Sequence, residues 1–371
     1  MSQRPVARRR IALAAKARFG LKGLFRILGQ VCAILAITLA LDYILLGTVF
    51  ADWKRSWGDA ATAYTQAYIH VPWHHDLAPN QNSMRPWGKI LYPFRTDRYG
   101  FRTGTCAPDD GDKSKPAIFV IGDSFTEGLG VPYEETFAGL MACEAAREGK
   151  AAWNLGVMSF SPIIYHLKIR AAAEKLGLKP AEIYVFLDLS DITDDAIVYR
   201  VGEDGTIRAA PSHHWFDTGQ FLLGNFATFR LLYNLWLDLP FGSAAPDESW
   251  RARWSLDPKI MDEWGRRGLE LAGKNMDKIV DICREWKCQL TLVVYPWPDN
   301  VRAGDRNSIQ VTHWRQWATE RGVRFVDGFA PFFQEPPDVA VGKYFIPGDV
   351  HFSAQGHRLI FDELKRSVGE F

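Results

Sequence analysis

A serine stands where an apolar segment breaks into a glycine-flanked turn. Residues 118–121 are apolar, and Gly122, Asp123 and Ser124 follow them directly. A serine that leads a buried strand into a helix can hold its hydroxyl above the sheet edge, and its N–H lies near a helix N-terminus, where negative charge is stabilised. Ser124 is therefore a candidate nucleophile whose own N–H supplies half of an oxyanion hole. The alternative is that Asp123 and Ser124 only cap a helix.

A second group of polar residues near the other end of the chain could complete such a site. Asp349 and His351 lie in a turn-rich loop before a final helix of apolar periodicity. An early serine and a late Asp/His pair can form a catalytic triad, because triads are defined by geometry and occur in several chain orders. Residues i and i+2 of an extended loop point the same way, so Asp349 can meet the ring of His351. Asp349 could instead cap the helix that starts near Ser353, and His357 is expected to pack or to face solvent.

Four sequence blocks resemble those of the SGNH (GDSL-type) hydrolase superfamily, over roughly residues 85–371. Residues 122–128 (GDSFTEG) resemble the first block closely, and residues 154–157 resemble the second. The third block of the family usually reads Gly-x-Asn-Asp, and Ser190 occupies the place of its asparagine here. The fourth usually reads Asp-x-x-His, whereas Asp349-Val350-His351 is one residue shorter.

The resemblance implies acyl transfer by a triad of Ser124, His351 and Asp349. It also implies an oxyanion hole formed by the N–H groups of Ser124 and Gly156 together with Ser190. A serine hydroxyl can donate a hydrogen bond to an oxyanion as an asparagine amide does, although its reach is shorter. No cofactor is expected. The spacing of cysteines and histidines does not resemble a zinc site, and His213-His214 is expected in an exposed loop.

The apolar pattern predicts alternating strands and helices. Runs of buried-strand length occur at about 116–121, 151–155, 183–189, 289–295 and 323–327, and helices are predicted at about 134–148, 162–177, 258–286, 307–321 and 353–369. Such alternation is typical of a parallel sheet covered on both faces. We predict an α/β protein, a flavodoxin-like three-layer α/β/α sandwich with a central parallel sheet, preceded by one N-terminal transmembrane helix. Ligands of such sheets bind at the carboxyl ends of the strands, where Ser124, Gly156 and Ser190 would lie.

A segment at about 197–256 interrupts this alternation and is rich in Trp, Phe, Tyr and Leu. One interpretation is a lid or acceptor-binding insertion over the active site that also touches the membrane. The other is a helix packed on the α/β core, since aromatic residues at helical spacing usually bury themselves.

The N-terminus has the charge pattern of a membrane anchor. Residues 1–26 contain eight Lys and Arg and no acidic residue, and residues 27–50 are apolar with Asp42 as their only charge. This length suits a transmembrane helix, and the basic flank belongs in the cytoplasm. A cleaved signal peptide is the alternative, with a weak site at residues 38–40. Asp42 is placed most simply near the outer interface.

The predicted domains are therefore a basic cytoplasmic tail (1–26), a transmembrane helix (27–50), a linker and packing segment (51–105) and a hydrolase-like domain (106–371). This topology places the last domain in a bacterial periplasm. An oxidising compartment permits disulfides, and Cys283 and Cys288 are the favoured pair, although the sequence does not settle how the cysteines pair.

The sequence thus predicts a single-pass inner-membrane serine esterase that removes acyl groups, acetyl first, from a carbohydrate or other ester. The choice of acyl group and carbohydrate is family analogy. The alternatives are a polysaccharide O-acyltransferase that uses the same serine, and a non-catalytic carbohydrate-binding or assembly subunit. Expected partners are an acylated carbohydrate or small ester, the membrane through residues 27–50, and other membrane proteins of polysaccharide modification. Nucleic acid is not expected, because the basic end runs directly into the apolar segment.

Overall fold

The N-terminal part of the protein is one long helix. The structure, a computed structural model, describes residues 5–49, 67–88, 90–106, 114–209, 222, 225–237 and 249–369. Helix α1 runs from Pro5–Gly47, and its segment Arg26–Gly47 has 22 residues, a mean hydropathy of 2.0 and no buried residue in its most apolar stretch. This segment is long and apolar enough to cross a membrane, and a signal sequence would share these properties.

Two antiparallel hairpins follow in the segment that was predicted as a linker and packing segment. Strand β1 (Tyr68–Val71) pairs with β2 (His74–Leu77), and β3 (Asn82–Trp87) pairs with β4 (Ile90–Arg95). Burial alternates along β4, so that Tyr92 and Phe94 point inward and join the main hydrophobic core. The described part of this segment is therefore folded onto the domain.

A five-stranded parallel sheet forms the centre of the domain. Its strands are β5 (Ala117–Gly122), β6 (Ala151–Asn154), β7 (Glu182–Leu187), β10 (Gln289–Val294) and β11 (Arg324–Asp327), and a small hairpin of β8 (Tyr199–Val201) and β9 (Ile207–Ala209) lies between β7 and β10 in the chain. The spatial order is β6-β5-β7-β10-β11, with every neighbouring pair parallel. Counted among these five, the order is 2-1-3-4-5, which is the flavodoxin-like order. The predicted fold class is confirmed.

The helices after the first strands are α2 (Ser124–Glu127), α3 (Phe137–Arg147), α4 (Pro162–Leu176), α5 (Ser190–Thr193), α6 (Ala227–Leu237), α7 (Arg266–Trp286), α8 (Pro298–Arg302), α9 (Ile309–Arg321), α10 (Pro337–Tyr344) and α11 (Ala354–Val368). The long helices that flank the sheet form two groups. Helix α3 contacts α11, whereas α4 contacts α7, and α7 is joined to α9 by a hydrogen bond from Trp317 Nε1 to Asp277 Oδ1 of 3.1 Å. Right-handed crossovers place these two groups on opposite faces, because the β5–β6 connection runs in the opposite direction to the others.

Short helical turns complete the described chain: Tyr133–Glu135, Asp194–Val198, Ser249–Ser255, Pro258–Ile260, Met261–Gly265 and Ala330–Gln334. Side-chain caps set where the long helices begin. Thr136 accepts from the N–H of Gly139 at the start of α3, and Ser353 accepts from that of Gly356 at the start of α11. Helices α4 and α9 end at Gly177 and Gly322, both at positive φ, a conformation that glycine adopts without strain. These local signals explain why the predicted boundaries lie close to the observed ones.

The aromatic-rich segment at 197–256 is described only in part. It contains the β8–β9 hairpin, helix α6 and the turn Ser249–Ser255, whereas His213-His214 lies outside the described residues. Helix α6 contacts α1, and Trp254 Nε1 donates to the carbonyl of Leu189 at 2.9 Å, next to the end of β7. The segment therefore approaches both the N-terminal helix and the sheet.

Two disulfides join parts of the domain. Cys283 pairs with Cys288 across the turn from α7 to β10, which is the pairing that the sequence favours. Cys106 pairs with Cys143, and this bond ties the chain before the sheet to α3. Both are consistent with an oxidising compartment.

A buried ion pair ties the first hairpin to helix α4. The Nζ atom of Lys168 lies 2.5 Å and 2.6 Å from the two carboxylate oxygens of Asp76, and both side chains are 1% exposed. Burial lowers the pKa of Lys168, and the Asp76 carboxylate acts against this shift. The ammonium charge therefore depends on its partner.

We expect Asp76→Asn to lower the free energy of unfolding by about 3–5 kcal/mol, because it leaves the Lys168 charge buried without a counter-charge. Urea unfolding of the full chain, monitored by tryptophan fluorescence, measures the change in the free energy of unfolding. The control is Glu285→Gln in the exposed pair with Arg170, where we expect less than about 1 kcal/mol. A second variant that combines Asp76→Leu with Lys168→Met removes both charges, so its free energy of unfolding should fall less than that of Asp76→Asn. Equal stabilities of Asp76→Asn and Glu285→Gln would contradict the expectation.

Candidate active site

The turn after β5 carries Ser124 at the carboxyl edge of the sheet. A Cβ atom on Gly122 would lie 2.6 Å from the carbonyl oxygen of Phe186 in β7, so only glycine fits there. Asp123 caps α2 by accepting a hydrogen bond from the N–H of Phe125 at 3.0 Å. Since Asp123 supplies the cap, the hydroxyl of Ser124 remains available for other contacts. Strands β5 and β7 flank the position where the strand order reverses, which is where ligands of such sheets bind.

Ser124, His351 and Asp349 form a hydrogen-bonded row. The distance from Ser124 Oγ to His351 Nε2 is 2.8 Å, and that from His351 Nδ1 to Asp349 Oδ1 is 2.7 Å. With the imidazole proton on Nδ1, the ring donates to Asp349 and accepts from the serine hydroxyl. The three side chains are largely buried, with exposed fractions of 8% for Ser124, 5% for His351 and 7% for Asp349. The structure therefore brings together residues that lie more than 220 positions apart in the chain.

A tight turn makes the short spacing of the fourth block workable. Asp349 Oδ1 accepts from the backbone N–H of His351 at 3.0 Å as well as from its ring, an arrangement typical of aspartate in turns. The backbone N–H of Asp349 bonds to the carbonyl of Ile346. Helix α11 is capped by Ser353, so the alternative in which Asp349 caps this helix is not what the structure shows.

Trp87 is a site residue that the sequence analysis missed. It lies at the end of β3, and its Nε1 donates to Asp349 Oδ2 at 2.5 Å. Its ring stands edge-on to the imidazole of His351, with centroids 5.0 Å apart, and the ring of Phe125 lies 4.8 Å from that imidazole. Two aromatic rings thus restrict the orientation of His351. A tryptophan 262 residues before its partner has no local sequence signal that points to this contact.

The environment of Asp349 favours its ionised form. Burial raises the pKa of this carboxyl, but the charge on His351 and the hydrogen bonds from His351 and Trp87 outweigh burial and lower the pKa below its ordinary value. An ionised Asp349 can stabilise a protonated imidazole.

The three predicted oxyanion donors differ in their partners. The N–H of Ser124 has no acceptor among the described residues. The N–H of Gly156 donates to Asn154 Oδ1 at 2.9 Å, and the hydroxyl of Ser190 donates to Asp188 Oδ1 at 2.7 Å. Only the first of these groups is therefore already free to meet an oxyanion.

A buried cluster of carboxylates lies behind the serine. Asp123, Asp188 and Asp191 bring one oxygen each within 4.8 Å of one another, the only such group that could hold a metal ion among the described residues. Burial, and then the neighbouring Asp188, raise the pKa of both Asp123 and Asp191. Several of these oxygens accept hydrogen bonds, among them Asp123 Oδ1 from the N–H of Phe125 at 3.0 Å and Asp188 Oδ2 from Trp297 Nε1 at 2.9 Å, whereas Asp191 Oδ1 has no partner among the described residues.

His357 is packed, one of the two expectations for it. The ring is buried against Phe137, whose N–H lies 3.4 Å from Nδ1, and burial lowers the pKa of His357 to about 3. It is neutral at physiological pH and lies outside the hydrogen-bonded row.

Comparisons with known proteins find similar solved structures. No protein-family model and no curated protein matches the chain. Axe2, an acetylxylan esterase from Geobacillus stearothermophilus, is 14% identical, with 68% of this chain and 94% of that chain covered and a TM-score of 0.39. LAE5, an alpha/beta hydrolase from the metagenome of Lake Arreo, is 13% identical, with 68% and 95% covered and a TM-score of 0.41. A protein of Desulfitobacterium hafniense DCB-2, assigned to the G-D-S-L family of lipolytic proteins, is 15% identical, with 68% and 100% covered and a TM-score of 0.39.

Proposed function

We propose that this chain is a serine esterase. The observation that carries the proposal is the row from Ser124 Oγ through His351 to Asp349, with distances of 2.8 Å and 2.7 Å, at the carboxyl edge of the parallel sheet. A nucleophile, a base and a group that orients the base within hydrogen-bond reach of one another define a Ser-His-Asp site by geometry.

In the proposed reaction His351 Nε2 takes the hydroxyl proton while Ser124 Oγ attacks the ester carbonyl. Asp349 holds the imidazole and stabilises its charge. The tetrahedral intermediate collapses as the imidazolium returns the proton to the departing alcohol, which leaves an acyl-serine. Water then attacks the acyl group with the same base, and the acid and free Ser124 are released.

The proposed oxyanion hole starts with the N–H of Ser124. The N–H of Gly156, which donates to Asn154 Oδ1 in the structure, is the second donor and would share its proton between that oxygen and the oxyanion. The hydroxyl of Ser190 is the third donor, and to act it must rotate away from Asp188 Oδ1. Positioned donors of this kind stabilise the charge that develops on the carbonyl oxygen. We propose small acyl groups on a carbohydrate as substrates, acetyl first, and this choice rests on the resemblance of residues 122–128 and 349–351 to the SGNH blocks.

Covalent labelling tests the proposal directly. A fluorophosphonate should modify the full chain in detergent, and mass spectrometry of its peptides should place one adduct on Ser124, because the hydroxyl of Ser124 lies within hydrogen-bond distance of the base His351. Ser124→Ala should remove the adduct. Labelling that continues unchanged in Ser124→Ala would overturn the assignment of the nucleophile.

We also propose that α1 anchors the enzyme in a bacterial inner membrane with the domain in the periplasm. Eight basic residues before an apolar segment and two disulfides in the domain support this orientation. Alkaline phosphatase, which requires export for activity, should therefore be active when fused after Phe371 and inactive when fused after Arg26. The reverse pattern would contradict the topology.

A further inference from the structure

Asp42, the only charged residue of the apolar segment 27–50, has its partners in a distant helix. Its Oδ1 accepts from the backbone N–H of Ala227 at 3.1 Å, and its Oδ2 accepts from that of Thr228 at 2.8 Å. Both N–H groups belong to the first turn of α6, where a helix leaves its amide groups without intrahelical acceptors. Asp42 therefore acts as an N-cap for α6 although it lies 185 residues earlier in the chain.

The carboxylate of Asp42 and the N–H groups of α6 satisfy each other, and each would be costly without a partner in an apolar environment. A carboxylate without a partner is expensive in lipid, and so are helix N–H groups without acceptors. The negative charge also lies at the positive end of the α6 dipole. The contact thus allows Asp42 to occupy an apolar helix, and it allows α6 to begin beside that helix.

The exposed surface of α6 continues the apolar surface of α1. Tyr43 and Phe226 bring their ring centroids to 5.9 Å, next to the Asp42 contact. Further along α6, Leu231, Leu232 and Leu235 are 59%, 58% and 53% exposed. The only charge in α6 is Arg230, whose long side chain can reach an interface. A patch of three leucines beside an exposed apolar helix is a surface that lipid would cover.

The position of Asp42 in α1 and the length of α6 restrict where α6 can lie. Asp42 stands five residues before the end of α1, about 8 Å from that end at the rise of a helix. Helix α6 has 11 residues and is about 16 Å long, too short to cross a bilayer. It can therefore occupy only the part of the membrane near the end of α1 that leads into the domain.

We propose that α6 is embedded in the outer leaflet of the membrane, docked on α1 through Asp42, with Leu231, Leu232 and Leu235 in contact with lipid. The partner of this surface is the bilayer itself. The inference rests on the proposed membrane anchoring, and it makes α1 a permanent part of the folded enzyme. The domain is then held against the membrane at two points of the chain.

Site-directed fluorescence in vesicles tests this placement. In the full chain with Cys32→Ser, a fluorophore is attached at Leu232→Cys, or at Val339→Cys in α10 as the matched control, since Val339 is 50% exposed on the α/β domain. The chain is reconstituted in vesicles of phosphatidylethanolamine and phosphatidylglycerol. We expect a doxyl group on the lipid chains to quench the Leu232 label and iodide in water to quench the Val339 label. Equal quenching of both labels by iodide would overturn the proposal.

Two substitutions of Asp42 test the docking contact. Asparagine caps a helix about as well as aspartate, whereas alanine does not, and the loss of a cap shifts the equilibrium about fivefold. Asp42→Asn should therefore leave the Leu232 label protected from iodide, and Asp42→Ala should increase the ratio of undocked to docked helix about fivefold. If both variants protect the label as the parent does, Asp42 does not dock α6.

Ester hydrolysis by the same vesicles separates this inference from the proposed function. A lipid-protected label without Ser124-dependent hydrolysis would refute the esterase and leave the membrane placement standing. Ser124-dependent hydrolysis with an iodide-accessible Leu232 label would refute the placement alone. Release of the chain from the vesicles by alkaline carbonate would refute the anchor and this inference with it.

Discussion

Replacement of Ser124 by alanine should lower kcat for p-nitrophenyl acetate by about a thousandfold or more, the effect of removing a triad nucleophile. The physical reason is that Ser124 carries the hydroxyl that lies against His351 Nε2 in the described part of the chain, so the acyl-enzyme cannot form without it. Initial rates of the purified full chain, corrected for the uncatalysed rate, measure the loss.

Two further variants make this result interpretable. Residues of a triad act as a unit, so Ser124→Ala combined with His351→Ala should be no slower than Ser124→Ala alone. Ser367→Ala, on the exposed face of α11, should retain the parent rate. Additive losses in the double variant would mean that Ser124 and His351 act separately. Parent activity in Ser124→Ala would remove the basis of the proposed esterase.

Replacement of Asp349 by asparagine should have the second large effect, a fall in kcat of about 10⁴-fold. An asparagine amide facing Nδ1 favours the wrong tautomer of His351, with the proton on Nε2, where it cannot accept from Ser124. The variant should keep its folded structure, since Asp349 does not cap α11. Kinetics of the full chain, with circular dichroism and thermal unfolding as controls, separate the two effects. Unfolding with normal specific activity would show that Asp349 is structural only.

Trp87→Phe should have a smaller effect than Asp349→Asn, because it removes one hydrogen-bond donor to Asp349 and keeps an aromatic ring beside His351. The loss of one hydrogen bond to a charged group predicts a fall in kcat of about tenfold. The hydrogen bond from Trp87 helps to lower the pKa of Asp349, so its removal should raise that pKa. A carboxylate with one donor fewer stabilises the protonated imidazole of His351 more strongly, so the acid limb of the pH–rate profile should move to higher pH. An unmoved acid limb would argue that Trp87 only packs against the ring.

The carboxylate cluster of Asp123, Asp188 and Asp191 forms a buried polar layer behind Ser124. Asp123 contacts both the Ser124 hydroxyl and the N–H of Phe125, and Asp188 accepts from Trp297 and Ser190. The oxygens of Asp123 and Asp188 therefore hold the loops after β5 and β7 in position. This explains why Ser190, in the place of an oxyanion asparagine, is turned toward Asp188 in the structure.

Local patterns in the sequence determined the sheet, the flanking helices and the two loops that carry the site. Buried parallel strands need continuous apolar runs, and helices need caps and apolar periodicity, so each element has a signal within its own residues. The same holds for the Gly-Asp-Ser turn, where only glycine fits at residue 122, and for the turn that brings Asp349 to His351.

Only the tertiary structure decided which distant groups meet. Trp87 donates to Asp349, which lies 262 residues later in the chain, and Cys106 pairs with Cys143. Asp42 accepts hydrogen bonds from the first turn of α6, beginning 185 residues later. The inward rotation of the Ser190 hydroxyl and the clustering of Asp123 with Asp188 are of the same kind. The physical reason is that the spacing of residues along the chain records periodicity and turns, which are local. Contacts between elements depend on the strand order 2-1-3-4-5 and on how side chains share space at one edge of the sheet, and neither has a signal in any single stretch of sequence.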